Sequence, residues 1–158
     1  MKTIERAMNR LSHCFSQAVL FVLIASLVLS AGSASASSPK SCPTELAMKA
    51  LDEASTLKTW QAVFISYKKY KLCDDGAIAE GYSSSVATLL ADHWQDIGGL
   101  IKLGNENPSF RSFVLSHIDV TMSLYQAAII KKNITQKCPS EAKKLCADIH
   151  NQFVAGGF

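Results

Sequence analysis

Apolar positions return every three or four residues along most of this chain, the spacing of a helix face rather than of a strand. Leu46, Ala50, Leu51 and Ala54 form the first such stripe. Pro43 suits the first turn, so the pattern predicts a helix over 43–54. Leu57, Trp60, Phe64, Tyr67 and Lys71 carry the rhythm on, and Ser55-Thr56 offers an N-cap for a second helix over 57–72. No Gly or Pro separates these two, which leaves one unbroken helix as the alternative. Cys73-Asp74-Asp75-Gly76 reads as a turn. A third helix, from 77 or 83 to 95, is predicted by Val86, Leu89, Leu90, His93, Trp94 and Ile97. Gly98-Gly99 then predicts a bend, and Gly104-Asn105-Glu106-Asn107 a loop. Asn107-Pro108 is an N-cap followed by Pro at the first helical position, so a fourth helix starts there with Phe110, Phe113, Val114, His117 and Ile118. A fifth, over about 121–132, is built on Leu124, Tyr125, Ala128 and Ile129. The last runs from Pro139 to about Phe153 and stops at Gly156-Gly157. No stretch alternates cleanly between hairpin turns. The predicted fold class is all-α: a small disulfide-stabilised bundle of about five to six helices.

The first 36 residues follow a different pattern. Lys2, Arg6 and Arg10 precede the apolar run Ala18–Leu29, and Ala34-Ser35-Ala36 has the small-x-small form of a signal peptidase site. Twelve apolar residues suit an export signal better than a membrane span, which needs about 20. Residues 1–36 are therefore predicted to be a cleaved signal peptide, and 37–158 a helical domain. This changes the charge argument. The whole chain carries +3, but 13 basic against 12 acidic residues remain from Ser37 onward, so two of the three charges belong to the leader. Arg111 is the only arginine left. Nucleic acid binding, which needs clustered cations, is excluded as a predicted function. No second apolar run is long enough for a stable membrane span.

Four cysteines follow the leader: Cys42, Cys73, Cys138 and Cys146. An even count in an exported small domain predicts two disulfides and a periplasmic or secreted location. No C-x2-C pair favours zinc instead. If the first two helices form an antiparallel hairpin, Cys42 and Cys73 meet at its open end. Cys138 would then pair with Cys146. Eight residues of straight helix span about 12 Å, and a disulfide needs Cα atoms within about 7 Å. Cys138 would therefore have to leave the helix at Pro139. Otherwise Cys42 and Cys73 each take one of the last two cysteines. In a eukaryotic secretory pathway Asn133-Ile134-Thr135 would be a glycosylation sequon.

The densest polar segment holds Asp74, Asp75 and Glu80, followed by Tyr82; Asp92, His93 and Asp96 come at the far end of the same predicted helix. Carboxylates at a helix start cap its free N–H groups and suit its dipole. The same residues also form candidate binding positions. A catalytic or metal reading would combine Asp74, Asp75 and Glu80 with His93, or Glu80 with Asp92, His93, His117 and Asp119. No H-E-x-x-H pattern, EF-hand loop or nucleophile elbow is present, and no cofactor or metal is required by the pattern. Ser84, His93 and Asp119 supply the residue types of a triad without the spacing of one. The cluster Lys68-Lys69-Tyr70-Lys71 suits a helix C-terminus.

The plan, together with the segment YKKYKLCDDGAIAEGYSSSVATLLADHW from Tyr67 to Trp94, resembles small, all-helical, cysteine-paired periplasmic immunity and inhibitor proteins, including those that act against type VI secretion amidases. The resemblance implies a protein partner, a toxin or hydrolase, that the chain would block. The predicted contact surface is the acidic segment from Asp74 to Asp96. The alternatives are a small periplasmic enzyme, or a ligand- or metal-binding protein, using Asp74, Asp75, Glu80 and His93.

Overall fold

Four helix starts in this chain are set by short polar side chains, at Thr59, Asp75, Asn107 and Ser123, that accept backbone N–H groups left free in the first turn. The computed structural model describes residues 41–157, and the predicted leader lies outside them. Seven α-helices and two single 3-10 turns make up the regular structure of the described residues. Helix α1 is Thr44–Ala54. Helix α2, Trp60–Tyr70, starts at Thr59, whose hydroxyl accepts from the Ala62 N–H at 3.1 Å. Helix α3, Gly76–Asp92, is capped by Asp75. A 3-10 turn at Trp94–Asp96 leads into α4, Ile97–Glu106. Helix α5, Pro108–Ser116, begins at Asn107 with Pro in the first turn, as predicted. Helix α6, Leu124–Gln136, carries a reciprocal capping box between Ser123 and Gln126. A second 3-10 turn, Ser140–Ala142, precedes α7, Lys143–Ala155.

Three expectations are corrected. The first two helices are separate, as the stripes predict, but the second begins at Trp60 rather than Leu57. Ser55 and Thr56 lie in the turn, which is held from a distance: the Ser85 hydroxyl donates to Ala54 O at 2.6 Å and accepts from Leu57 N at 3.2 Å. Second, Gly98 and Gly99 do not bend the chain; both lie inside α4, the helix that brings the total to seven. Leu100 and Leu103 bury one side of α4, and that burial outweighs the helix cost of glycine, about 1 kcal/mol each. Third, Asn133 is not available to a glycan. It is buried, and its amide donates to Leu90 O at 3.0 Å and Ala91 O at 3.2 Å, satisfying carbonyls near the end of α3.

Helix α3 is apolar on most of its circumference, which is the composition of a central helix. It packs against α1, α2 and α6, while α4 and α5 pair beside it and α7 lies against α5 and α6. At the α1–α3 crossing the backbones come close. A Cβ on Gly81 would stand 2.9 Å from the Ala54 Cβ and 3.1 Å from Ser55 N, so only glycine fits there. The main core joins all seven helices. Its aromatic centre sets Tyr67 against Phe110 and Phe113, with ring centroids 5.5 and 4.8 Å apart, and Tyr82 edge-on to Phe113 at 5.0 Å.

Both disulfides take the hairpin pattern. Cys42 and Cys73 close the open end of the α1–α2 hairpin, with Cα atoms 4.8 Å apart. A small second core of Ala50, Tyr70 and Cys73 surrounds that bond. Cys138 leaves the helix at Pro139, as the distance argument required, and reaches Cys146 on α7 with Cα atoms 6.4 Å apart. No helix among the described residues is long and apolar enough to cross a membrane.

Candidate functional site

The candidate residues of the Asp74–Asp96 segment do not share one site. Asp75 caps α3, its Oδ1 accepting from Gly76 N at 2.8 Å. Glu80 is exposed on the first turns of the same helix. Tyr82 is fully buried, and its hydroxyl pairs with that of Ser66 at 2.9 Å. Burial pushes the Tyr82 phenol up to about 12, against the Ser66 hydrogen bond. Tyr82 therefore has no surface to offer a partner. Asp92 and His93 end α3, and Asp96 ends the 3-10 turn, with His93 Nδ1 4.0 Å from Asp96 Oδ2. Sixteen helical steps separate the two ends of α3, about 24 Å. Asp75 and His93 thus cannot meet on one substrate or ion. Among the described residues no group of three His, Cys, Asp or Glu is placed to hold a metal ion.

Asp74 has a different partner from any the spacing suggested. Its Oδ1 lies 3.0 Å from His117 Nε2, and the other ring nitrogen, Nδ1, lies 2.7 Å from Phe113 O. An ionised carboxylate and a carbonyl can only accept, so these two contacts suit a ring that donates from both nitrogens and favour the charged form of His117. The ring is buried and packed against Phe113 and Tyr82, with centroids 4.3 and 5.6 Å away. Beside it, Asp119 accepts from Ser83 Oγ at 2.7 Å and from Thr121 Oγ1 at 2.6 Å. Ser83, not Ser84, is thus the serine that meets Asp119, and Ser84 is exposed. Burial lowers the affinity of His117 for its proton, but the hydrogen bonds to Asp74 and Phe113 and the charges of Asp74 and Asp119 outweigh it. The result is a pKa raised above 6.5. Burial acts to raise Asp119, and its hydrogen bonds and the His117 charge bring it below 3.8.

This cluster ties the disulfide-bound turn after α2 to the end of α5, and it has a pH signature. The folded chain holds the His117 proton more tightly than the unfolded chain does. Its stabilisation is therefore complete below about pH 6.5 and is lost as pH rises through the raised folded value. Asp119 acts at the other end: its contribution is present above about 3.8 and is lost as pH falls through the lowered folded value. Urea unfolding at about pH 6 and about pH 9 should show a larger loss in the parent chain than in His117→Ala. That variant should itself cost about 2 kcal/mol at pH 6, because hydrogen bonds to charged groups contribute about 1.5–3 kcal/mol and the partly exposed Asp74 regains water. Equal pH slopes in the two proteins would show that His117 is not charged in the folded state.

The second candidate lies on α6 and overturns the expected stripe. Leu124, Tyr125 and Ala128 are not in the core; Ala127, Ile130 and Ile134 are. Leu124 and Tyr125 are 82% and 74% exposed, and Val120 in the preceding loop is 73% exposed. Of these three, Leu124 lines a cavity of about 210 Å³ together with Ala127, Ala128, Lys131 and Phe153. Its walls are three helical residues of α6, the lysine one turn on, and one ring of α7. A further, shallower groove at the start of α2 and α4 is lined by Trp60, Gly98, Gly99 and Asp96 among others. It brings in one candidate residue, Asp96.

No protein-family model, curated protein or solved structure matches this chain.

Proposed function

We propose that this chain is an exported binding protein of the inhibitor or immunity type, which docks on a toxin or hydrolase outside the reducing cytosol and blocks it. The observation that carries the reading is the apolar side chains left outside at the start of α6: Val120, Leu124 and Tyr125 within six residues, each more than 70% exposed. Scattered exposed leucines are ordinary, whereas a cluster beside a cavity marks a contact surface. The scaffold supports this reading. Two disulfides suit an oxidising compartment. They also hold the helices in place before contact, which lowers the ordering cost of binding. The contact face moves from the acidic segment to the Val120–Ala128 corner, because Tyr82 is buried and Asp74 is engaged by His117.

A photo-crosslinking side chain placed at Leu124 tests the proposal in the native host. It should give a discrete adduct with one protein, and the same side chain at exposed Ser84 on α3 should give none. Adducts at neither position would count against a protein-binding role; an adduct at Ser84 alone would return the contact to the acidic segment.

A further inference from the structure

The charge around the α6 cavity restricts what can enter it. Helix α6 contains no carboxylate, and Leu124, Ala128, Lys131 and Lys132 follow one another at helical spacing on its outer side. That stripe is apolar in its first half and cationic in its second. Lys131 itself lines the cavity. Neither Lys131 nor Lys132 has an ion-pair partner among the described residues, whereas Lys144 and Arg111 share Asp148. Residues 120–157 hold five lysines and two acids. Of those two, Asp148 pairs with Arg111 and Lys144, and Glu141 lines a separate cavity with Leu100, Arg111 and Lys144. The corner thus presents an apolar recess beside uncompensated positive charge.

We infer that the α6 stripe takes a segment of the partner protein in which an apolar side chain is flanked by carboxylates. The apolar side chain enters the recess between Ala127, Ala128 and Phe153, and the flanking carboxylates meet Lys131 and Lys132. The inference rests on the binding-protein reading and gives its partner a chemistry. A cavity of about 210 Å³ is smaller than the roughly 300–1,000 Å³ of small-molecule sites. It matches a single anchoring side chain, the usual centre of a protein interface. The lysines at its rim would set orientation and association rate, so binding should weaken with salt.

The test is a nuclear magnetic resonance titration of the disulfide-bonded protein with three short synthetic peptides. One carries a Leu-Phe pair between glutamates, one the same pair between lysines, and one glutamates around a Gly-Ser pair. The first should shift the amide signals of Leu124, Ala128 and Lys131 in a saturable way. Its affinity should fall at least about tenfold in the double variant Lys131→Glu, Lys132→Glu, and also in Ala128→Arg, where the exposed position keeps the fold intact. The other two peptides should leave α6 unmoved. Equal binding of the lysine-flanked peptide, or unchanged affinity in the charge-reversed variant, would overturn the inference. Shifts at α6 with phosphatidylglycerol vesicles and none with the peptide would assign the corner to a lipid surface instead, and self-association through α6 without added peptide would assign it to a second copy. An adduct from Leu124 in the host together with a silent acidic peptide would leave the binding-protein reading standing and remove this one; loss of both would remove both.

Discussion

Replacing Phe110 with Ala should lower the unfolding free energy by about 3–5 kcal/mol, the range for deleting a fully buried phenyl ring. Phe110 sits two residues after Pro108 on α5 and has no exposed surface. Its ring meets Phe64 edge-on at 5.0 Å and Tyr67 at 5.5 Å, so it joins α5 to α2. Two costs combine. Folding of the variant no longer removes the ring's apolar area from water, and the surrounding rings cannot close the space because Tyr67 is also packed against Phe113. The aromatic contacts add about 0.5–1.5 kcal/mol per pair beyond area. For a domain of this size the midpoint of thermal unfolding should drop by roughly 12 °C or more. A shift below about 3 °C would mean that the α2–α5 contact is not packed as described.

Removing the Cys42–Cys73 bond by changing both residues to Ser should cost about 4 kcal/mol, against about 2.5 kcal/mol for the Cys138–Cys146 bond. The difference comes from loop length. The first bond spans 31 residues and the second 8, and a longer closed loop removes more freedom from the unfolded chain. The first bond also organises its surroundings. Ala50, Tyr70 and Cys73 form a core of their own that the main core does not include. Without the bond, the start of α1 should fray, and the Asp74 turn should lose its anchor to His117. Denaturant unfolding of the two double variants, with hydrogen exchange at Ala47, whose N–H donates to Pro43 O at 2.9 Å, as a local readout, checks both the order and the place. The reverse order of stability would show that the hairpin end is held by packing rather than by the bond.

Helix starts are legible where one cap stands alone beside the helix it serves, and not at Thr59 or Ser123, where other capping residues lie close by. Asn107-Pro108 and the Asp75 turn are of this kind. The start of α2 was not, because Ser55 and Thr56 are equally good caps by type, and it is Ser85, thirty residues away in α3, that keeps them in the turn. Helix α4 was hidden by its glycines, since propensity is read locally and the burial of Leu100 and Leu103 is not. On α6 the period was read correctly and the face was not. Leu124 and Ala128 form one apolar stripe, and Ala127, Ile130 and Ile134 form another. Periodicity alone does not say which of two stripes meets the core. That ambiguity is itself informative, because a helix with two apolar stripes has one more than the fold uses.

The cysteine pairing follows from the hairpin, distance adds the condition on Cys138, and Pro139 is where the chain turns to satisfy it. The polar cluster was legible only in half. The acidic turn was visible as a feature, but the 43 residues between Asp74 and His117 hide their contact. Buried Ser66, Ser83 and Asn133 are likewise defined by distant hydrogen-bond partners. His93 and His117 looked alike in sequence, each on an apolar stripe. His117 is enclosed by rings and acceptors, whereas His93 remains at a half-open helix end.

A doubly cross-linked helical scaffold is expected to form outside the reducing cytosol. Intact mass spectrometry of the protein taken from its own host, without reductant and with free thiols blocked during lysis, tests this most directly. The predicted result is a chain beginning at Ser37, four hydrogens lighter than its reduced form and carrying no blocking groups. A chain that retains residues 1–36 and carries a blocking group on each of its cysteines would contradict it.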